Sequence, residues 1–216
     1  MQYHKLLSLP NILTLIRVLL APAVAYCIWR ADTGATVLAA VLFILAGITD
    51  GLDGYLARRL NCESRLGVAL DPIADKVFAI VLVGALILWR GFPVWLAGVI
   101  VGRDLILLGG GMILMRRYPG ISLPSNLTGK WAFAAIAVLL GAHIIRFEFS
   151  IQLMTPVAVT LLAASLLSYG QVFLAVYRKR KVEPFRDRPT YRAIRIGLTG
   201  AAALAHLVMF WVEFLR

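Results

Sequence analysis

The chain has 216 residues, 61% of them hydrophobic and only 15% charged, with a mean hydropathy of +0.84. Soluble domains carry nearer a quarter charged residues, so the composition excludes an ordinary globular protein and describes an integral membrane one. The net charge of +11 does not point to nucleic acid, because the basic residues collect in short loops and one tail, as membrane topology and anionic headgroups require.

A helix needs about 17–25 apolar residues to cross a bilayer. Six such runs are predicted, at roughly 12–29, 35–57, 68–89, 93–115, 127–146 and 151–177, with a weaker seventh at 194–215. The first is not a cleaved signal peptide, since Arg17 interrupts it and little charge precedes it. An arginine that deep either snorkels to the interface or meets a phosphate. Breakers fall between the runs: Asp32-Thr33-Gly34, Gly91-Phe92-Pro93, Tyr118-Pro119-Gly120 and Pro124-Ser125-Asn126, where Ser125 or Asn126 is the expected N-cap of the fifth helix. Cys27 and Cys62 form neither a disulfide framework nor a ligand pattern, and His4, His143 and His206 are scattered singly.

The fold class that follows is an all-α polytopic membrane bundle of six transmembrane helices with a seventh at the C-terminus. Residues 1–178 make the membrane domain, 179–193 a basic cytoplasmic segment and 194–216 an extra apolar helix. In that helix Gly197, Ala201 and Ala205 form a small-residue stripe of the kind that lets membrane helices approach closely. Orientation comes from the loops. Arg58, Arg59, Arg65, Arg116, Arg117, Lys130, Arg178, Lys179, Arg180, Lys181, Arg186, Arg188, Arg192 and Arg195 fall on one side, against Arg30, Arg90 and Arg146 on the other. The basic side is cytoplasmic, and with it the N-terminus and the second-to-third connection.

Beside that connection stand four aspartates. Asp50 and Asp53 close the second run, in Asp50-Gly51-Leu52-Asp53-Gly54-Tyr55-Leu56-Ala57-Arg58. Asp71 and Asp75 open the third, in Gly67-Val68-Ala69-Leu70-Asp71-Pro72-Ile73-Ala74-Asp75. A carboxylate at a membrane boundary is costly, and four together repel one another without a cation. Hard oxygen donors suit Mg²⁺ or Mn²⁺. Spacings of three and four put each pair on one helix face, and antiparallel helices joined by a loop of about ten residues bring the faces to one depth, with donors enough for two metal ions. Paired metals clamp phosphates for in-line displacement. Gly54, Ala57 and Gly67 remove side-chain bulk there, and Arg58 can fork onto phosphate oxygens.

Written out, the pattern is D-x2-D-G-x2-A-R-x8-G-x3-D-x3-D, met at every fixed position from Asp50 to Asp75. It resembles that of the CDP-alcohol phosphatidyltransferase family. The resemblance implies six transmembrane helices, an active site at the cytoplasmic boundary, and transfer of the phosphatidyl group from CDP-diacylglycerol to an alcohol with release of CMP. It also implies that Asp50, Asp53, Asp71 and Asp75 hold the metals. Asp75 would further act as general base on the acceptor hydroxyl, with Gly54, Ala57, Arg58 and Gly67 lining the CDP pocket.

Pro10-Asn11-Ile12-Leu13-Thr14-Leu15-Ile16-Arg17 and Asp75-Lys76 look like the phosphatidylglycerophosphate and cardiolipin synthase branch. Arg103-Asp104 resembles the cardiolipin synthases of eukaryotic type, while Gly129-Lys130 resembles both enzymes and the expected Thr-x-x-Gln after it is missing. Adjacent residues on a helix do not share a face, so Arg103 and Asp104 need not satisfy each other. With Arg17 and Arg116, Arg103 and Lys130 suit an acceptor that already carries phosphate: glycerol-3-phosphate first, phosphatidylglycerol second. Membrane lipids and a second copy of the chain are the other partners expected. The rival from another class is an ion-coupled transporter, against which the aspartates cluster at one face rather than the midplane and no inverted repeat is evident.

Overall fold

Six helices follow one another in the computed structural model: α1 (Leu9–Arg30), α2 (Thr33–Leu60), α3 (Arg65–Arg90), α4 (Val94–Arg117), α5 (Leu127–Ile145) and α6 (Glu148–Tyr177). Residues 9–60, 65–117 and 127–178 are described, with Ile194, Gly197, Ala201, Ala205, Val208 and Val212; side chains at 9–13, 50–60, 65–73 and 115 are outside that description. Among the described residues there is no strand, as the all-α reading requires. The basic segment 179–193 and the proposed cap at Ser125 or Asn126 lie outside the described residues.

The chain divides into two compact units, Met1–Phe92 with His143–Ile145, and Pro93–Ala142 with Arg146–Arg216. In the first, α1 packs against both α2 and α3. Its buried residues Thr14, Arg17, Ala21, Val24 and Ile28 recur at steps of three and four, the period that keeps one seam on a neighbouring helix. α2 offers Ala39 and Ala46, and α3 offers Ala74, Phe78, Leu82 and Leu86. Alanines let backbones approach closely, which matters for helices in lipid because the surrounding tails are as apolar as leucine. The opposite faces expose Leu15, Leu19, Ile80 and Leu88.

In the second unit α4 packs against α6, whose buried residues Ala158, Leu162 and Ser165 form a seam of the same period. Gly110 of α4 lies under the Phe173 ring, where a β-carbon would stand 2.6 Å from Cε2. α5 buries Ala132, Ala135, Leu139 and Ala142, again at steps of three and four.

Three helices among the described residues are long and apolar enough to cross a membrane: Val94–Leu114, Leu127–Ile145 and Glu148–Tyr177. The described apolar stretch of α2, Thr33–Thr49, is shorter. Near the C-terminus all six described positions are helical and exposed, including Gly197, Ala201 and Ala205.

The loop of about ten residues expected between the second and third helices is a correction. α2 continues to Leu60 and α3 begins at Arg65, so both basic ends of the connection are wound into helix. Arg30 and Arg90 each stand in a last helical turn, where a cation opposes the negative end of the helix dipole. Arg90 is buried and donates from Nη2 to Thr36 Oγ1 at 3.0 Å, tying the end of α3 to the start of α2. Gly91 then takes the left-handed conformation (φ +69°), and the Phe92 N–H returns to the Leu86 carbonyl at 3.1 Å. Arg146 does the same without glycine's freedom (φ 56°), as the Phe147 N–H donates to the Ala142 carbonyl at 2.9 Å. His143 is buried with its ring edge against Phe92 at 4.9 Å, a packing role.

Candidate functional site

The backbone puts every fixed position of the aspartate pattern on helix. Asp50, Asp53, Gly54, Ala57 and Arg58 ride the second half of α2, and Gly67, Asp71 and Asp75 the first half of α3. The side chains of Asp50, Asp53, Asp71 and Arg58 lie outside the described residues, as does the immediate setting of Gly54, Ala57 and Gly67. Of the tetrad, Asp75 is therefore the member whose surroundings are seen.

Arg17 Nη1 donates to Asp75 Oδ1 across α1 and α3, an ion pair between residues 58 apart in sequence. Its two sides are unequal: the Arg17 side chain is 3% exposed and that of Asp75 48%. The buried guanidinium does not snorkel to the interface, and its described partner is a carboxylate. An arginine on the buried seam of α1 carries a permanent charge and needs an acceptor at the same depth. Ala74, buried beside Asp75, brings α3 close enough to supply one. One carboxylate oxygen is thus anchored from beneath while the group keeps an open side.

That arrangement suits a hard divalent cation or a proton acceptor. Four carboxylates are the right donor chemistry for Mg²⁺ or Mn²⁺, and a half-exposed carboxylate fixed through one oxygen retains donor capacity on the other. Among the described residues no three acidic, histidine or cysteine side chains gather, Asp75 being the one described member of the set.

In the second unit, Arg103 is the centre of a separate polar group. Its Nη1 binds Asp104 Oδ1 at 2.9 Å and its Nη2 donates to Ser165 Oγ of α6 at 2.9 Å. The expectation that adjacent Arg103 and Asp104 need not satisfy each other is corrected here. Their β-carbons diverge, but the arginine chain is long enough to turn its guanidinium back onto the next residue. Gly129, the residue before Lys130, lies against the same guanidinium. Arg116 stands thirteen residues further along α4, about 20 Å by helical rise, which sets it apart from Arg103. It is exposed, and its neighbour Arg117 lies over the Tyr177 ring at 6.0 Å. Ser165 was missed in the sequence, where one serine among the small residues of an apolar helix carries no distinguishing signal.

Residues 7–177 match a family model described as CDP-alcohol phosphatidyltransferase. A probable cardiolipin synthase (CMP-forming) of Drosophila melanogaster is 41% identical over 136 residues, covering 62% of this chain and 40% of that one. The cardiolipin synthase (CMP-forming) of Rattus norvegicus is 35% identical over 170 residues, covering 78% and 54%. A CDP-diacylglycerol–glycerol-3-phosphate 3-phosphatidyltransferase of Pseudomonas fluorescens is 36% identical over 156 residues, covering 68% and 78%. The chain thus spans about half or less of the two animal relatives and most of the bacterial one.

Proposed function

Because the chain belongs to the CDP-alcohol phosphatidyltransferase family, we propose that it is a membrane enzyme of phospholipid synthesis. It moves the phosphatidyl group of CDP-diacylglycerol to an alcohol and releases CMP. The observation that carries the reading is Asp75: a half-exposed carboxylate at the last position of the aspartate pattern, anchored on a buried arginine.

In this reading the acceptor hydroxyl attacks the phosphatidyl phosphorus, a new P–O bond forms, and the bond to CMP breaks. Asp75 takes the hydroxyl proton on its open side. Arg17, holding Oδ1, fixes the direction in which the carboxylate faces. General-base assistance of this kind contributes typically 10²–10⁴-fold. Asp50, Asp53 and Asp71 would hold divalent metal with Asp75, and Gly54, Ala57, Arg58 and Gly67 would line the nucleotide's pocket. When bound, Mg²⁺ or Mn²⁺ would neutralise the pyrophosphate and stabilise attacking and leaving oxygens.

The acceptor we assign is a glycerol compound that already carries phosphate, with Arg103 and Lys130 supplying the cations that recognise it. Glycerol-3-phosphate is the first choice, supported by the bacterial relative that the chain matches over 78% of its length. Phosphatidylglycerol is the second, favoured by Arg103-Asp104 and by the 41% identity to the Drosophila protein. The same reading makes residues 1–178 a six-span catalytic domain with its aspartates at the cytoplasmic boundary, and 194–215 a further span that the chemistry does not need. The test is a panel of acceptors, each given to purified full-length protein with CDP-diacylglycerol and Mg²⁺. Product from either glycerol compound supports the assignment. Product only from serine or free inositol would sink it.

A further inference from the structure

We propose that Ser165 and Gly129 form a seat for the Arg103 guanidinium and so set the affinity for the acceptor's phosphate. The proposal rests on the reading of Arg103 as an acceptor-recognising group and adds two positioning residues that the aspartate pattern does not contain.

Ser165 is fully buried on α6, and its hydroxyl accepts from Arg103 Nη2 at 2.9 Å. Serines in apolar helices commonly donate back to a carbonyl one turn earlier, as Thr155 and Thr160 of the same helix do to Ile151 and Pro156. The Ser165 oxygen instead serves a cation on another helix. Asp104 takes Nη1 at 2.9 Å, so the guanidinium is fixed at both ends of its fork. A guanidinium has five N–H donors; these two bonds leave three, among them a buried Nε–H that meets no acceptor among the described residues. A phosphate offers the acceptors that such donors lack, in matching fork geometry.

Gly129 closes the seat from α5. A β-carbon there would lie 3.3 Å from Arg103 Nη2, 3.4 Å from Tyr169 Cε2 and 3.5 Å from Ser165 Oγ. An unrestrained arginine tip would swing aside at little cost. This one is tied to Asp104 and Ser165, so it yields only by stretching a charge-assisted bond. Glycine at 129 is therefore the clearance that lets the guanidinium lie against the first turn of α5, the positive end of that helix's dipole, which also favours an anion.

The competing account is that the Arg103–Ser165 bond merely fastens α4 to α6. Steady-state kinetics of the full-length protein separates the two, with glycerol-3-phosphate and phosphatidylglycerol each tried as acceptor. Ser165→Ala and Gly129→Ala are expected to raise the KM for the acceptor roughly 10–150-fold, as loss of a bond to a charged group implies. The KM for CDP-diacylglycerol and kcat should stay within about twofold. Gly110→Ala, which disturbs the α4–α6 contact at Phe173, is the structural control and should lower the melting temperature without that selective change. Ser165→Cys, similar in size and a poor acceptor, makes the same test if the alanine variant does not fold. An unchanged acceptor KM in Ser165→Ala and Gly129→Ala, while Arg103→Gln raises it, overturns the seat and leaves the reading of Arg103 standing. An unchanged acceptor KM in Arg103→Gln overturns both.

Discussion

Arg17, 3% exposed on α1, holds the carboxylate of Asp75, 48% exposed on α3, so a buried cation sits beneath the open carboxylate that ends the aspartate pattern. The inequality predicts different outcomes for the two partners. Asp75→Asn still accepts from Arg17 but cannot take up a proton. It should therefore fold normally and bind CDP-diacylglycerol, with turnover lower by about 10²–10⁴-fold. Arg17→Leu leaves Asp75 in reach of solvent and should lower kcat with a modest loss of thermal stability, and Arg17→Lys should recover part of the rate. Equal loss of donor binding and turnover in Asp75→Asn would reduce Asp75 to a plain ligand.

Divalent metal should be required. Excess chelator is expected to stop CMP release, with Mg²⁺ or Mn²⁺ restoring it. In a second readout, adding Mg²⁺ in the presence of CDP-diacylglycerol should raise the melting temperature of the wild type. That rise should be lost in Asp50→Asn, Asp53→Asn and Asp71→Asn. Full activity in chelator would remove the metal from the account.

Gly110→Ala should destabilise without touching any group assigned to the chemistry. Its β-carbon meets Phe173 Cε2 at 2.6 Å, so the ring or the α4–α6 spacing must shift. Overpacking of this kind costs typically about 1–3 kcal/mol, read as a lower melting temperature in detergent with KM values unchanged.

Asp32 caps α2, its Oδ1 accepting the Ala35 N–H at 2.8 Å. That bond chiefly, opposed by desolvation and aided by the Arg30 charge, holds the carboxyl below its ordinary 3.8. A lowered folded pKa gives stability that is present above the unfolded value and lost as pH falls through the folded one. Wild type should thus melt above Asp32→Ala at neutral pH, and the gap should close below about pH 4. A gap that persisted unchanged in acid would contradict the cap.

The six helices were legible because the apolar runs are long and three of the connections between them hold breakers, such as Asp32 or Gly91. Basic residues around the second connection made 58–67 read as loop, yet α2 winds on to Leu60 and α3 starts at Arg65. The family was legible because Asp50 to Asp75 is a fixed-spacing pattern inside one local stretch. Arg17 was visible as an anomaly, but not its partner, since pairing across 58 residues depends on which face of α1 meets α3. Spacing rules also misjudged Arg103 and Asp104, because they follow β-carbons rather than the tip of a long side chain. Ser165 and Gly129 have meaning only once α5 and α6 are placed beside Arg103.

The central claim is phosphatidyl transfer with release of CMP. Its most direct test is the stoichiometry of the reaction: full-length protein in vesicles, CDP-diacylglycerol, Mg²⁺ and labelled glycerol-3-phosphate or phosphatidylglycerol, with CMP and labelled lipid product measured together. The account predicts one CMP per lipid product formed, with both slowed together by about 10²–10⁴-fold in Asp75→Asn. Folded wild-type protein that releases no CMP with any phosphorylated glycerol acceptor, or that releases CMP with no lipid product, would contradict it.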